Sequence, residues 1–90
     1  MKVLKFGAVW CPSCLVMRPL WSNIEKENPT LKTEYYDYDI NSEEVAKWNI
    51  GKTLPVAVLL NDQDEEIARF IGEKTKKEIL ETIENLIIKE

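Results

Sequence analysis

The sequence predicts an α/β fold: a four-stranded mixed sheet with three helices, in the order β-α-β-α-β-β-α. Three observations carry this reading. An unbroken apolar run near the N-terminus leads directly into a long stretch with helical apolar spacing. A second segment alternates between apolar and polar residues, as a strand does. The C-terminal third combines a hairpin pattern with an amphipathic helix.

The elements follow in order. Residues Val3–Val9 are mostly apolar and β-prone without alternation, which suits a strand covered on both faces. Pro12 fits the first position of a helix, where its missing N–H costs nothing. Leu15, Val16, Leu20, Trp21 and Ile24 then recur at helical spacing, so a helix is expected from about Pro12 to Glu27, kinked at Pro19 and ended by Asn28-Pro29. Lys32–Ile40 alternates: Tyr36, Tyr38 and Ile40 point one way, Tyr35, Asp37 and Asp39 the other. Asn41 and Glu44 have the spacing of a capping box, which predicts a short helix over Ser42–Trp48. Val56–Leu60 and Glu66–Phe70 read as a hairpin around the turn Asn61-Asp62-Gln63-Asp64. After Gly72, Thr75 and Glu78 form a second capping box, and Ile79, Leu80, Ile83, Leu86 and Ile87 make one apolar helical stripe.

Ninety residues make one domain, expected to span 1–90. The net charge of -4 argues against nucleic acid as a partner, since phosphate binding needs a basic face. No apolar run approaches the roughly 18 residues of a membrane span. Met1-Lys2-Val3-Leu4-Lys5-Phe6 carries charges within its apolar run and does not read as a signal peptide, so a cytoplasmic monomer is expected.

The chain has two cysteines, Cys11 and Cys14, and no histidine. Mechanisms that need an imidazole are excluded. Thiol chemistry remains, and it needs a thiolate. Cys11 occupies the cap position of the first helix, where unpaired N–H groups and about half a positive charge favour an anion. Cys14 lies one turn later. The expected roles are Cys11 as an exposed attacking nucleophile and Cys14 as a buried resolving thiol, with a mixed disulfide between the two steps.

Three other readings stay open. A structural disulfide across so short a loop would stabilise by only about 2 kcal/mol. A structural zinc site wants four ligands, and no histidine or third cysteine exists to supply them. A two-cysteine soft-metal carrier or redox-switch module would need no further ligand from this chain. Both cysteines could also be unreactive core residues.

Several separated features resemble the thioredoxin family. Trp10-Cys11-Pro12-Ser13-Cys14 resembles its Trp-Cys-x-x-Cys active site. Pro19 matches the helix-kinking proline, Thr53-Leu54-Pro55 falls at the cis-proline, and Gly72 matches the glycine after the terminal hairpin. The resemblance covers Val3 to Glu90. It implies a minimal thioredoxin-like fold and a dithiol oxidoreductase acting on protein disulfides. Its redox centre would be the Cys11–Cys14 disulfide alone, with no cofactor and no metal, and it would be reset by a reductase or thiol reductant the sequence does not name. The resemblance also implies a cis Leu54–Pro55 bond beside Cys11. Trp10, Pro12, Ser13, Leu54 and Pro55 would contact substrate.

The chain departs from the family in two ways. It lacks the usual first strand and helix. Its Pro12-Ser13 dipeptide, with Thr53-Leu54-Pro55, is closer to glutaredoxins, and a glutaredoxin-like activity is the alternative enzyme reading; no Gly-Gly pair precedes the last helix for glutathione.

Lys5 interrupts the first strand. It aligns with the position where thioredoxins place a buried Asp below the resolving cysteine, and Asp37 aligns with that carboxylate's Lys partner. A reversed pair, Lys5 with Asp37, is therefore expected to tune the cysteines, because an unpaired buried ammonium is costly. A Lys5 side chain that reaches water is the alternative. Trp21 and Trp48 read as core residues.

Overall fold

The N-terminal apolar run forms strand β1, Lys2–Gly7, and the helix after it is α1, Pro12–Glu27. The alternating segment gives β2, Lys32–Asp37, followed by α2, Ser42–Lys47. The hairpin pairs β3, Val56–Leu60, with β4, Glu66–Ile71, and α3, Lys76–Lys89, closes the chain. This computed structural model describes the backbone of residues 1–89 and the side chains of residues 1–87; Glu90, within the expected domain, lies outside the described residues.

The four strands form one mixed sheet, as the fold class predicts, and lie in the order β2-β1-β3-β4. β1 runs parallel to β2 with Lys5 opposite Tyr35 and Gly7 opposite Asp37. β3 lies antiparallel to β1, with Val56 opposite Phe6, and β4 pairs antiparallel with β3. β1 and β3 are therefore central, which explains why every residue of β3 is buried.

Alternation along β1 sends its side chains into two cores. Val3 packs with Met17, Trp21 and Ile24 of α1 and with Ile79 and Ile83 of α3. Leu4, Phe6 and Ala8 face the other way, against Val58, Leu60, Ile50 and Leu54, with Val45 and Trp48 half-buried beside them. Trp21 is core as expected, and Trp48 covers the edge of the second core.

Several boundaries differ from the sequence reading, each for a local reason. β1 ends at Gly7 because the Cys11 N–H turns back onto the Ala8 carbonyl at 3.2 Å, leaving Val9 exposed. β2 ends at Asp37, whose Oδ1 accepts from the N–H groups of Asp39 and Ile40 at 2.8 and 3.1 Å and bends the chain. Asn41 stands at the N-cap of α2 as expected but makes no side-chain capping bond; its Oδ1 instead accepts from the Asp37 N–H at 2.8 Å. Thr75 does cap α3, accepting from the Glu78 N–H at 3.1 Å. Ile87 is exposed rather than part of the buried stripe. Gly72 has φ +86°, a left-handed conformation open to glycine, and its N–H donates to the Pro55 carbonyl at 2.8 Å.

Candidate active site

The cysteines stand where β1 hands over to α1, at the carboxyl end of a central strand. Cys11 is the N-cap of α1, in extended conformation, and Pro12 takes the first helical position. The Cys14 N–H donates to Cys11 Sγ at 3.2 Å, so the sulfur occupies the place a capping oxygen would. Both sulfurs are free thiols.

The expected contrast in exposure is not found. Cys11 is 5% exposed and Cys14 8%, so both are buried. The two cysteines belong to a buried cluster that draws on residues from elsewhere in the chain, Ile50 and Leu54 among them. What separates the cysteines is electrostatic setting. The Cys14 thiol is pushed up to about 11, first by burial and then by its hydrogen bond to the Cys11 side chain. The Ala8 backbone and the Arg18 guanidinium pull in the opposite direction.

The other expected site residues are distributed around this pair. The Leu54–Pro55 bond is cis, Leu54 is buried, and Pro55 lines the same cavity as Cys14. Trp10 is 59% exposed beside Cys11 and donates from Nε1 to Asp39 Oδ2 at 2.7 Å. Ser13 Oγ donates to Glu73 Oε2 at 3.4 Å, linking the start of α1 to the segment after β4.

Lys5 and Asp37 are not brought together. The Lys5 ammonium contacts Glu25 of α1 at 3.4 Å, and the Thr33 hydroxyl donates to the same carboxylate. Asp37 is occupied with the backbone of its own turn. The reversed-pair expectation is therefore corrected: Lys5 is paired, but with a carboxylate on the helix packed over its face of the sheet.

Four residues to which the sequence reading gave no part in the site also border it: Gly7, Arg18, Tyr35 and Asp39. Gly7 stands where a Cβ would meet Cys14 Sγ at 3.3 Å and the Tyr35 hydroxyl at 3.1 Å, so its missing side chain admits both groups. Arg18 lies over the Tyr35 ring, 5.8 Å from its centroid. Asp39 holds Trp10. Two of these had a signal in the sequence. A glycine inside a strand marks close approach, and Arg18 sits four residues after Cys14 on the same helix face. Among the described residues, no group of three or more His, Cys, Asp or Glu side chains is placed to hold a metal ion.

A sheet with a capped Cys-x-x-Cys at the end of its central strand, facing a cis-proline, defines a thioredoxin-fold dithiol protein. Family comparison agrees: the Thioredoxin family model matches residues 1–85, and the chain belongs to that family of thiol–disulfide oxidoreductases. The thioredoxin of Chlamydia pneumoniae is 30% identical over 87 residues, covering 97% of this chain and 79% of its own length. Thioredoxin 1 of the thermophilic eubacterium Thermosipho africanus superposes with a TM-score of 0.84 at 29% identity, covering 97% of this chain and 94% of its own. The match to the TPR repeat-containing thioredoxin of Arabidopsis thaliana is 30% identical over 78% of this chain, and it spans only 18% of that longer protein.

Proposed function

We propose that this protein reduces protein disulfides through the Cys11–Cys14 dithiol. The observation that carries the reading is the capped sulfur: Cys11 Sγ receives the Cys14 N–H at 3.2 Å at the start of a 16-residue helix. Donors so placed favour a thiolate. The raised Cys14 thiol supports the division of labour, because it stays protonated while Cys11 attacks.

The reaction has two displacements. Cys11 thiolate attacks one sulfur of the substrate disulfide; a mixed disulfide forms and one substrate thiol leaves. Cys14 then loses its proton and attacks Cys11 Sγ. The Cys11–Cys14 disulfide forms and the second substrate thiol leaves, so two electrons have passed from the dithiol to the substrate. An external thiol or a reductase restores the dithiol, and a reducing cytoplasm is the setting that fits this direction.

Val9 and Trp10, 72% and 59% exposed just before Cys11, and Ile40, 78% exposed next to the Asp39 that holds Trp10, offer apolar surface for an unfolded or extended substrate segment. The backbone around Thr53 and Leu54, in no strand, is available to pair with it. Cys14→Ser tests the order of events. With a disulfide-bonded protein substrate, it should accumulate a mixed disulfide on Cys11, visible by mass spectrometry. No mixed disulfide in Cys14→Ser, or one that forms as fast on Cys14 in Cys11→Ser, would remove the assignment.

A further inference from the structure

The resolving step needs a proton to leave a buried thiol, and among the described residues no carboxylate lines the cavity that Cys14 borders. We propose that Tyr35, braced by Arg18, is the positioning group through which Cys14 sheds its proton when it displaces the substrate from Cys11. This rests on the dithiol reading above and assigns the proton's route within it.

Three geometric observations meet at one point. The first is the gap over Gly7, flanked by Cys14 Sγ at 3.3 Å and by the Tyr35 hydroxyl at 3.1 Å. The thiol and the phenol thus both border the one point that a side chain at Gly7 would fill. The second is the cavity itself. It is partly open and has about 50 Å³ of room for water, several times what one molecule needs. The third is Arg18, one helical turn beyond Cys14, whose guanidinium lies 5.8 Å from the Tyr35 ring centroid. It holds the ring and places a cation near the sulfur.

The charged and titratable groups around Cys14 are few. From α1 come Arg18 and, at its cap, Cys11; from β1 comes Lys5, and from β2 Tyr35. β3 and β4 contribute only apolar side chains to the cavity. Lys5, opposite Tyr35 in the β1–β2 register, is ion-paired with Glu25 of α1. Among the described residues that leaves the phenol as the one hydroxyl lining the cavity. A hydroxyl accepts and donates at once. The Cys14 proton passes to the Tyr35 oxygen through cavity water as the phenol proton passes outward, and tyrosine ends the step neutral. The proton finishes on the departing substrate thiolate. The Arg18 guanidinium, whose positive charge pulls that thiol downward against the larger effect of burial, favours the transient Cys14 thiolate.

The two displacements separate in a stopped-flow reaction of the reduced protein with one equivalent of 5,5′-dithiobis(2-nitrobenzoate). The first release of thionitrobenzoate reports attack by Cys11, and the second reports closure by Cys14. Tyr35→Phe, which deletes only the hydroxyl, should slow the second release about tenfold near pH 7 and leave the first within about twofold. The deficit should shrink as pH rises and hydroxide takes over. Arg18→Gln should slow the second release about threefold, and Arg18→Lys should restore it. Three results would overturn the proposal: an unchanged second phase in Tyr35→Phe, equal slowing of both phases, or Arg18→Lys as slow as Arg18→Gln. If the unsubstituted protein itself gave no second release, the dithiol reading would fall and the proposal with it.

Discussion

The two cysteines differ less in exposure than in what surrounds each sulfur. Cys11 is held by the first turn of α1, while Cys14 sits against β1 in the space Gly7 leaves. Burial raises the Cys14 thiol from 9.0 to about 11, which has a consequence for stability. A thiol whose folded value lies above its unfolded value binds its proton more tightly in the native state. That contribution is complete below pH 9 and is lost as pH rises towards 11. Urea unfolding of the reduced protein should therefore show a loss of stability between those pH values that Cys14→Ala lacks; identical pH profiles would contradict it. The identity of the cysteines was legible in the sequence, because helix-cap position and spacing are local properties. The burial of Cys14 was legible too, but that of Cys11 was not, because the buried cluster it joins includes Ile50 and Leu54, far along the chain.

At the scale of elements, most of the architecture follows from periodicity. The limits of α1 and β3 fall where proline, apolar spacing and the hairpin pattern place them. Ends set by side-chain competition were less legible. Asn41 has the residue type and spacing of a cap, yet the turn after β2 draws its side chain to Asp37 instead. Lys5 shows the same limit between elements. That it needs a partner is readable from an ammonium on a central strand. Which partner depends on how α1 lies across the sheet, and that puts Glu25 there rather than Asp37. A double-mutant cycle of Lys5→Met with Glu25→Gln should give a coupling of about 1 kcal/mol in unfolding free energy. The cycle with Asp37→Asn should give roughly none. The reverse pattern would restore the Lys5–Asp37 pair.

Over the whole molecule, the parallel β1–β2 pair and the antiparallel β3–β4 hairpin bring distant segments to one end of the sheet. The start of α1, the cis Leu54–Pro55 loop and the turn at Gly72 meet there, the last two joined by the Gly72 to Pro55 hydrogen bond. Motif order along the chain made this convergence legible. The row behind Cys14, formed by Gly7, Tyr35 and Arg18 on three elements, emerges only once the sheet register is known. We propose that Cys11 carries disulfide exchange for this protein. The most direct measurement of this is the rate of protein-disulfide reduction driven by dithiothreitol, compared between the unsubstituted chain and Cys11→Ser. Catalysed turnover should be present in the first and fall to the uncatalysed rate in the second; turnover that survives the substitution would contradict the account.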